Sequence, residues 1–182
     1  VGVQVFGFFD YYLKGAKNGF PEKTPRVRYY TMGRNQWENA DSWPPKEAVL
    51  TEFQLASGGK ANSLFGDGTL GAEAPTGAES DTFTYDPMNP VPSLGGGVCC
   101  NAGASLGGSY DQRAIEARAD VLVYTSAPLA SPLQITGSVY ATLYVSSDAK
   151  DTDFTVKLVD VRPDGTAYNI DDTILRARYR DG

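Results

Sequence analysis

Histidine occurs nowhere in this chain of 182 residues. Its absence removes the side chain whose ordinary pKa lets it take up and return a proton near neutrality, so a Ser-His-Asp triad cannot be assembled from this chain alone. Long hydrophobic runs are missing too. No stretch approaches the roughly eighteen apolar residues of a membrane-spanning helix, and the first residues have neither the basic nor the apolar region of a secretory signal. No membrane association is expected, and the compartment stays open. Cysteine is confined to Cys99 and Cys100. A bond between such neighbours would close a strained ring, so two free thiols are expected and a disulfide framework is excluded. Basic charge is in deficit, with 16 Lys and Arg against 22 Asp and Glu and a net charge of −6. The basic residues are dispersed, which argues against a nucleic-acid surface. No cofactor is expected.

The residues that are present favour β-structure. A hydrophobic share of 41% with 21% charged is ordinary globular material, and the length suits one domain. From Leu133 to Ser146 apolar and polar positions alternate almost without fault, which predicts a strand with one dry face. Phe154, Val156 and Leu158 share a face of a second strand, Pro163-Asp164-Gly165 is a turn, and Thr173–Tyr179 reads as a third strand. Shorter strands are expected at Val27–Met32, Glu47–Leu55, Thr82–Tyr85 and Val121–Thr125. Gly33–Pro45 reads as a turn-rich link, and Gly58–Ser80 and Gly95–Gly108 as long glycine-rich loops. One helix is expected over Val5–Lys14, ended by Lys14 in its last turn and by Gly15 as a left-handed stop. The fold predicted is all-β: an antiparallel β-sandwich with one N-terminal helix and long Gly-rich loops.

Three constellations could carry function. Gly103-Ala104-Ser105-Leu106-Gly107 spells the G-x-S-x-G of a nucleophile elbow, yet that serine must sit between a strand and a helix. Here a glycine-rich loop precedes it and Gly107-Gly108, poor helix starters, follow, so a plain loop is expected and no catalytic residue is assigned. Asp148, Asp151 and Asp153 offer three carboxylates suited to Ca²⁺, but they lack the order of a known binding loop. A solvated turn accounts for Asp148 and Asp151, and no metal is assigned. Asp153 opens a strand and faces the later strand that carries Arg176, Arg178 and Arg180. An ion pair of Asp153 with Arg176 or Arg178 would fix the register of the two strands. A buried pair, costing about 3 kcal/mol or more to break, and an exposed pair contributing almost nothing both fit.

The chain also resembles a known family. Phe8-Phe9-Asp10-Tyr11-Tyr12-Leu13-Lys14-Gly15, Met32-Gly33-Arg34-Asn35-Gln36-Trp37, Trp43-Pro44-Pro45, Tyr85-Asp86-Pro87-Met88-Asn89-Pro90-Val91-Pro92 and Asp111-Gln112-Arg113 fall in the order found in the cocaine esterase-like and X-Pro dipeptidyl-peptidase hydrolases, which include the α-amino acid ester hydrolases. Asp151-Thr152-Asp153-Phe154, Leu158-Val159-Asp160-Val161 and Arg176-Ala177-Arg178-Tyr179-Arg180 complete the likeness to their C-terminal, non-catalytic domain.

That resemblance implies a jelly roll akin to the galactose-binding domains over residues 26–182, expected to be cut short at its C-terminal end. Residues 1–25 would be the terminal helix and linker of an α/β-hydrolase domain of the same parent protein, where all three triad members reside. It further implies an accessory role in a serine hydrolase acting on esters or peptides. Val98, Cys99 and Cys100 would line the acyl side of the pocket, with small thiols where relatives carry bulky apolar groups. A short buried strand accounts for the same three residues equally well. Trp37 and Trp43, with Phe6 and Phe9 of the helix, would cover the junction with the hydrolase domain. Homo-oligomerisation is left open. A reading from another class, a stand-alone carbohydrate- or ligand-binding module, would use the tyrosines and tryptophans as a stacking platform.

Overall fold

A computed structural model describes residues 2–77, 79–97 and 107–180. The chain divides into two compact units, Val1–Thr51 with Leu133–Tyr140, and Glu52–Pro132 with Ala141–Gly182.

In the first unit, α1 spans Gly2–Lys14 and a short α2 spans Phe20–Lys23. Its C-terminal end forms as the sequence dictates. Lys14 pairs with Asp10 one turn earlier at 2.7 Å, Gly15 takes φ +64°, and the Asp10 and Tyr11 carbonyls accept the N–H groups of Ala16 and Gly15. β1 (Val27–Thr31) and β2 (Gln36–Ala40) then form an antiparallel hairpin, with Tyr29 opposite Glu38 and Tyr30 opposite Trp37. The hairpin replaces the turn-rich link expected over Gly33–Pro45. Gly33 at φ +81° and Asn35 at φ +55° do supply the turn, but they return the chain into a second strand. A strand as polar as Gln36–Ala40 is pinned by its partner rather than by hydrophobic patterning.

The second unit holds β3 (Gln54–Ala56), β4 (Thr69–Gly71), α3 (Arg113–Glu116), β5 (Thr125–Ser126), β6 (Asp153–Val161) and β7 (Ala167–Arg176), followed by a 3-10 turn over Ala177–Tyr179. β3 and β4 pair antiparallel, β4 and β5 parallel, and β6 and β7 antiparallel. Gly165 at φ +82° closes the β6–β7 hairpin, whose register shifts at Leu158/Val159, leaving Ile170 as the extra residue. Ala167 and Asn169 before that bulge are buried, whereas Ile174 and Leu175 beyond it are exposed. The segment 109–112 docks on the free edge of β7 at its buried end, where Gln112 donates its N–H to the Ala167 carbonyl at 2.7 Å.

The result is a β-rich fold with few helices, built from small sheets. The largest difference from expectation falls on Leu133–Ser146. The segment has no regular secondary structure, Gly137 interrupts it at φ +121°, and Leu133, Ile135, Val139, Leu143 and Val145 are all exposed. Alternation specifies which side chains share a face, but a strand exists only where a neighbour supplies the ladder, and among the described residues none does. The same reasoning explains why Thr82–Tyr85 forms no strand, why only Gln54–Ala56 is a strand in the region of Glu47–Leu55, and why the Val121–Thr125 run yields only β5. Conversely, β4 lies inside the loop expected over Gly58–Ser80. Arg178 belongs to the 3-10 turn and not to the preceding strand, because β7 ends at Arg176.

Candidate functional site

The chain has no histidine, and the described residues hold no cluster of His, Cys, Asp or Glu suited to a metal ion. Two other features stand out, one in each unit.

In the second unit a hydrogen-bonded knot surrounds Gln112, which is only 1% exposed. Its Nε2 donates to the carbonyls of Leu94 at 3.1 Å and Tyr110 at 2.9 Å and to Asn169 Oδ1 at 3.0 Å. Its Oε1 accepts from Lys157 Nζ of β6 at 2.8 Å. Asn169 of β7 accepts the Tyr110 N–H at 2.7 Å and donates from Nδ2 to the Gly108 carbonyl at 3.1 Å. Gly96 and Gly108 exchange two backbone bonds at 2.8 and 2.9 Å. Gly95 is required here. At φ +76°, a Cβ would run into the Gly108 carbonyl oxygen and lie 2.7 Å from the Tyr110 ring. Beside the knot, Arg113 forks onto Asp111, and this hydrogen-bonded guanidinium holds the carboxyl well below its usual range, at about 2. Sequence reasoning singled out Asp111-Gln112-Arg113 but missed Lys157 and Asn169.

A second carboxylate, Asp81, gathers the hydroxyls of Ser57 and Tyr124, both at 2.6 Å, and the Ala61 N–H at 2.7 Å. Burial pushes its pKa up, but the three donors outweigh burial and leave it lowered. The Tyr124 hydroxyl is raised, by burial first and then by its bond to Asp81.

In the first unit the feature is an uncovered apolar surface. Phe6 is 70% and Phe9 47% exposed on α1, and Trp37 is 56% and Trp43 51% exposed. Val3, Phe8, Tyr12 and Leu13 are exposed as well, so α1 is apolar around most of its circumference. Trp37 packs edge-on against Tyr30 with Arg28 5.0 Å over its ring, and Trp43 packs against Tyr29. Glu38 ties this unit together. It accepts from Tyr29 at 2.9 Å, from Arg34 at 3.2 Å and from Gln134 at 3.2 Å, and its pKa is lowered chiefly by the Tyr29 hydroxyl and then by Gln134.

The remaining expected residues are placed as follows. Asp153 and Arg176 are register partners joined by two bonds of 2.8 and 3.0 Å, with side chains 36% and 50% exposed. The pair is therefore of the exposed kind. Arg178 binds Asp151 instead. Both carboxylates that neighbour Asp148 in the calcium constellation are thus engaged by guanidinium groups. Val98, Cys99, Cys100 and Ser105 lie outside the described residues.

Residues 18–182 match the family described as the X-Pro dipeptidyl-peptidase C-terminal non-catalytic domain. The chain is 44% identical over 174 residues to a cocaine esterase of Rhodococcus sp. (strain MB1 Bresler), covering 96% of this chain and 30% of that protein. It superposes with a TM-score of 0.71 and 33% identity on the crystal structure of an aminopeptidase from the marine sediment archaeon Thaumarchaeota archaeon, covering 96% of this chain and 29% of that one. The chain therefore spans under a third of the length of these relatives.

Proposed function

This chain belongs to the X-Pro dipeptidyl-peptidase C-terminal non-catalytic domain family, and we propose that it serves as the accessory domain of a serine hydrolase, packing on the α/β-hydrolase domain and shaping its substrate pocket. Residues 26–182 would be the jelly-roll domain, and residues 1–25 would complete the hydrolase domain. The observation that carries this reading is α1. A helix with exposed Phe6, Phe8, Phe9, Tyr12 and Leu13 is stable in water only when other structure covers it on more than one side. Trp37 and Trp43 would extend the covered area, since buried aromatics supply much of the energy at such contacts.

Pocket shaping is assigned to the segment between residues 97 and 107, whose two ends the knot holds together. It carries Val98, Cys99 and Cys100, which would lie against the acyl group. The substrate class proposed is that of the relatives, esters or X-Pro peptides. The test compares turnover of p-nitrophenyl esters and X-Pro p-nitroanilides by the full-length protein and by residues 1–182. The full-length protein is expected to turn over one of the two. Turnover of similar rate by the 182 residues alone defeats the accessory reading.

A further inference from the structure

We propose that Gln112, Asn169 and Lys157 act as a positioning clamp that fixes both stems of the 97–107 segment onto the β6–β7 sheet, and through it the pocket contact; the inference rests on the pocket-shaping role proposed above. A side chain as deeply buried as Gln112 is costly unless every polar atom is matched. Here each one is. Lys157 offers only donors, so the Gln112 oxygen must face it, which turns the amide nitrogen toward Leu94, Tyr110 and Asn169. β6 thereby sets the orientation of a group that holds the first stem, while Asn169 of β7 holds the second stem through Gly108. The Gly96–Gly108 bridge then locks one stem to the other.

An apolar residue at position 112 would fill the space as well, but it would not specify where each stem lies. Hydrogen bonds of fixed direction do, and a fully satisfied buried network favours one arrangement. Gly95 and Gly96, both left-handed, let the stem approach closer than any side chain permits, with Asp172 Oδ2 only 2.6 Å from where a Gly96 Cβ would stand. No catalytic step is assigned to these residues. They act through the segment they hold.

The decisive variant is Gln112→Glu in the full-length protein. It keeps the shape and the acceptor for Lys157 but removes the NH₂ that ties Leu94 and Tyr110. Hydrogen exchange is expected to accelerate about tenfold or more in peptides over residues 94–97 and 107–110, with peptides over residues 57–67 unchanged. Acceleration of both regions alike, or of neither, overturns the clamp. The ratio of kcat/KM for short-acyl and bulky-acyl p-nitrophenyl esters is expected to shift about fivefold, as specificity is sensitive to small displacements of the pocket wall. An unchanged ratio with loosened stems overturns the link to the pocket. Should the wild type cleave neither an ester nor an X-Pro p-nitroanilide, the functional reading fails instead, and the exchange arm decides the clamp by itself. If Gln112→Glu does not fold, Lys157→Met at its half-buried position carries the same test.

Discussion

The knot around Gln112 and the helix α1 handle the same physical problem in opposite ways. In the knot every polar group is turned inward and matched, so that region is complete in itself. In α1 the apolar groups face water, and its stability has to come from a surface elsewhere. The contrast separates what this chain satisfies by itself from what it leaves uncovered. Polar side chains that need fixed geometry are satisfied internally, and large aromatics that need only area stand exposed, the surface that the proposed hydrolase contact would cover.

The comparison breaks most readily at the helix. Replacing Phe6 and Phe9 together by Asp should lower the stability of the full-length protein by about 3 kcal/mol or more, because two unpaired charges would enter an apolar junction. The same pair of changes in residues 1–182 alone should be nearly neutral, since both rings are already exposed there. Urea unfolding of the two forms checks this, and an equal effect in both would mean that nothing covers α1.

The knot should answer differently. Gly95→Ala forces an L-residue to φ +76° and drives its methyl into the Gly108 carbonyl, so a loss of about 2–4 kcal/mol is expected with or without the rest of the protein. A penalty present only in the full-length form would show that the stems are ordered by the partner and not by the knot. Asp81→Asn comes next, at about 1–2 kcal/mol. The charge that strengthens the Ser57, Tyr124 and Ala61 bonds is lost while the shape is kept. Thermal unfolding at neutral pH reads both.

Legibility in the sequence followed the range of each interaction. The end of α1, with Lys14 and the left-handed Gly15, and the Pro163-Asp164-Gly165 turn are local devices, and both could be read from a few residues. The Asp153–Arg176 pair could be anticipated from charge placed on two neighbouring strands, but its exposure could not. Gln112 lies far in sequence from the β6–β7 hairpin that carries Lys157 and Asn169, and the three bond largely to backbone, so no periodicity announces them. Leu133–Ser146 shows the converse. Its alternation is clear, yet a dry face describes a requirement and not the neighbour that meets it.

The smallest effect, and the sharpest probe of the knot's surroundings, is expected from acid. Asp111 has its folded pKa lowered to about 2 by the Arg113 guanidinium and by the N–H groups of Arg113 and Ala167. A carboxyl depressed in the folded state stabilises fully above its unfolded pKa of about 3.9, and that contribution fades as pH falls toward the folded value. Asp81 and Asp153 are shifted in the same direction and act with the same sign. Stability should therefore fall between about pH 4 and pH 2, and Asp111→Asn should flatten part of that fall by losing the same small contribution at pH 7, small because the pair is solvent-screened. Urea midpoints measured at pH 7, 4 and 3 decide it. A variant that keeps the full acid slope would mean that Asp111 is equally well stabilised in the unfolded chain, and the Asp111–Arg113 fork would then contribute nothing to holding segment 109–112 against β7.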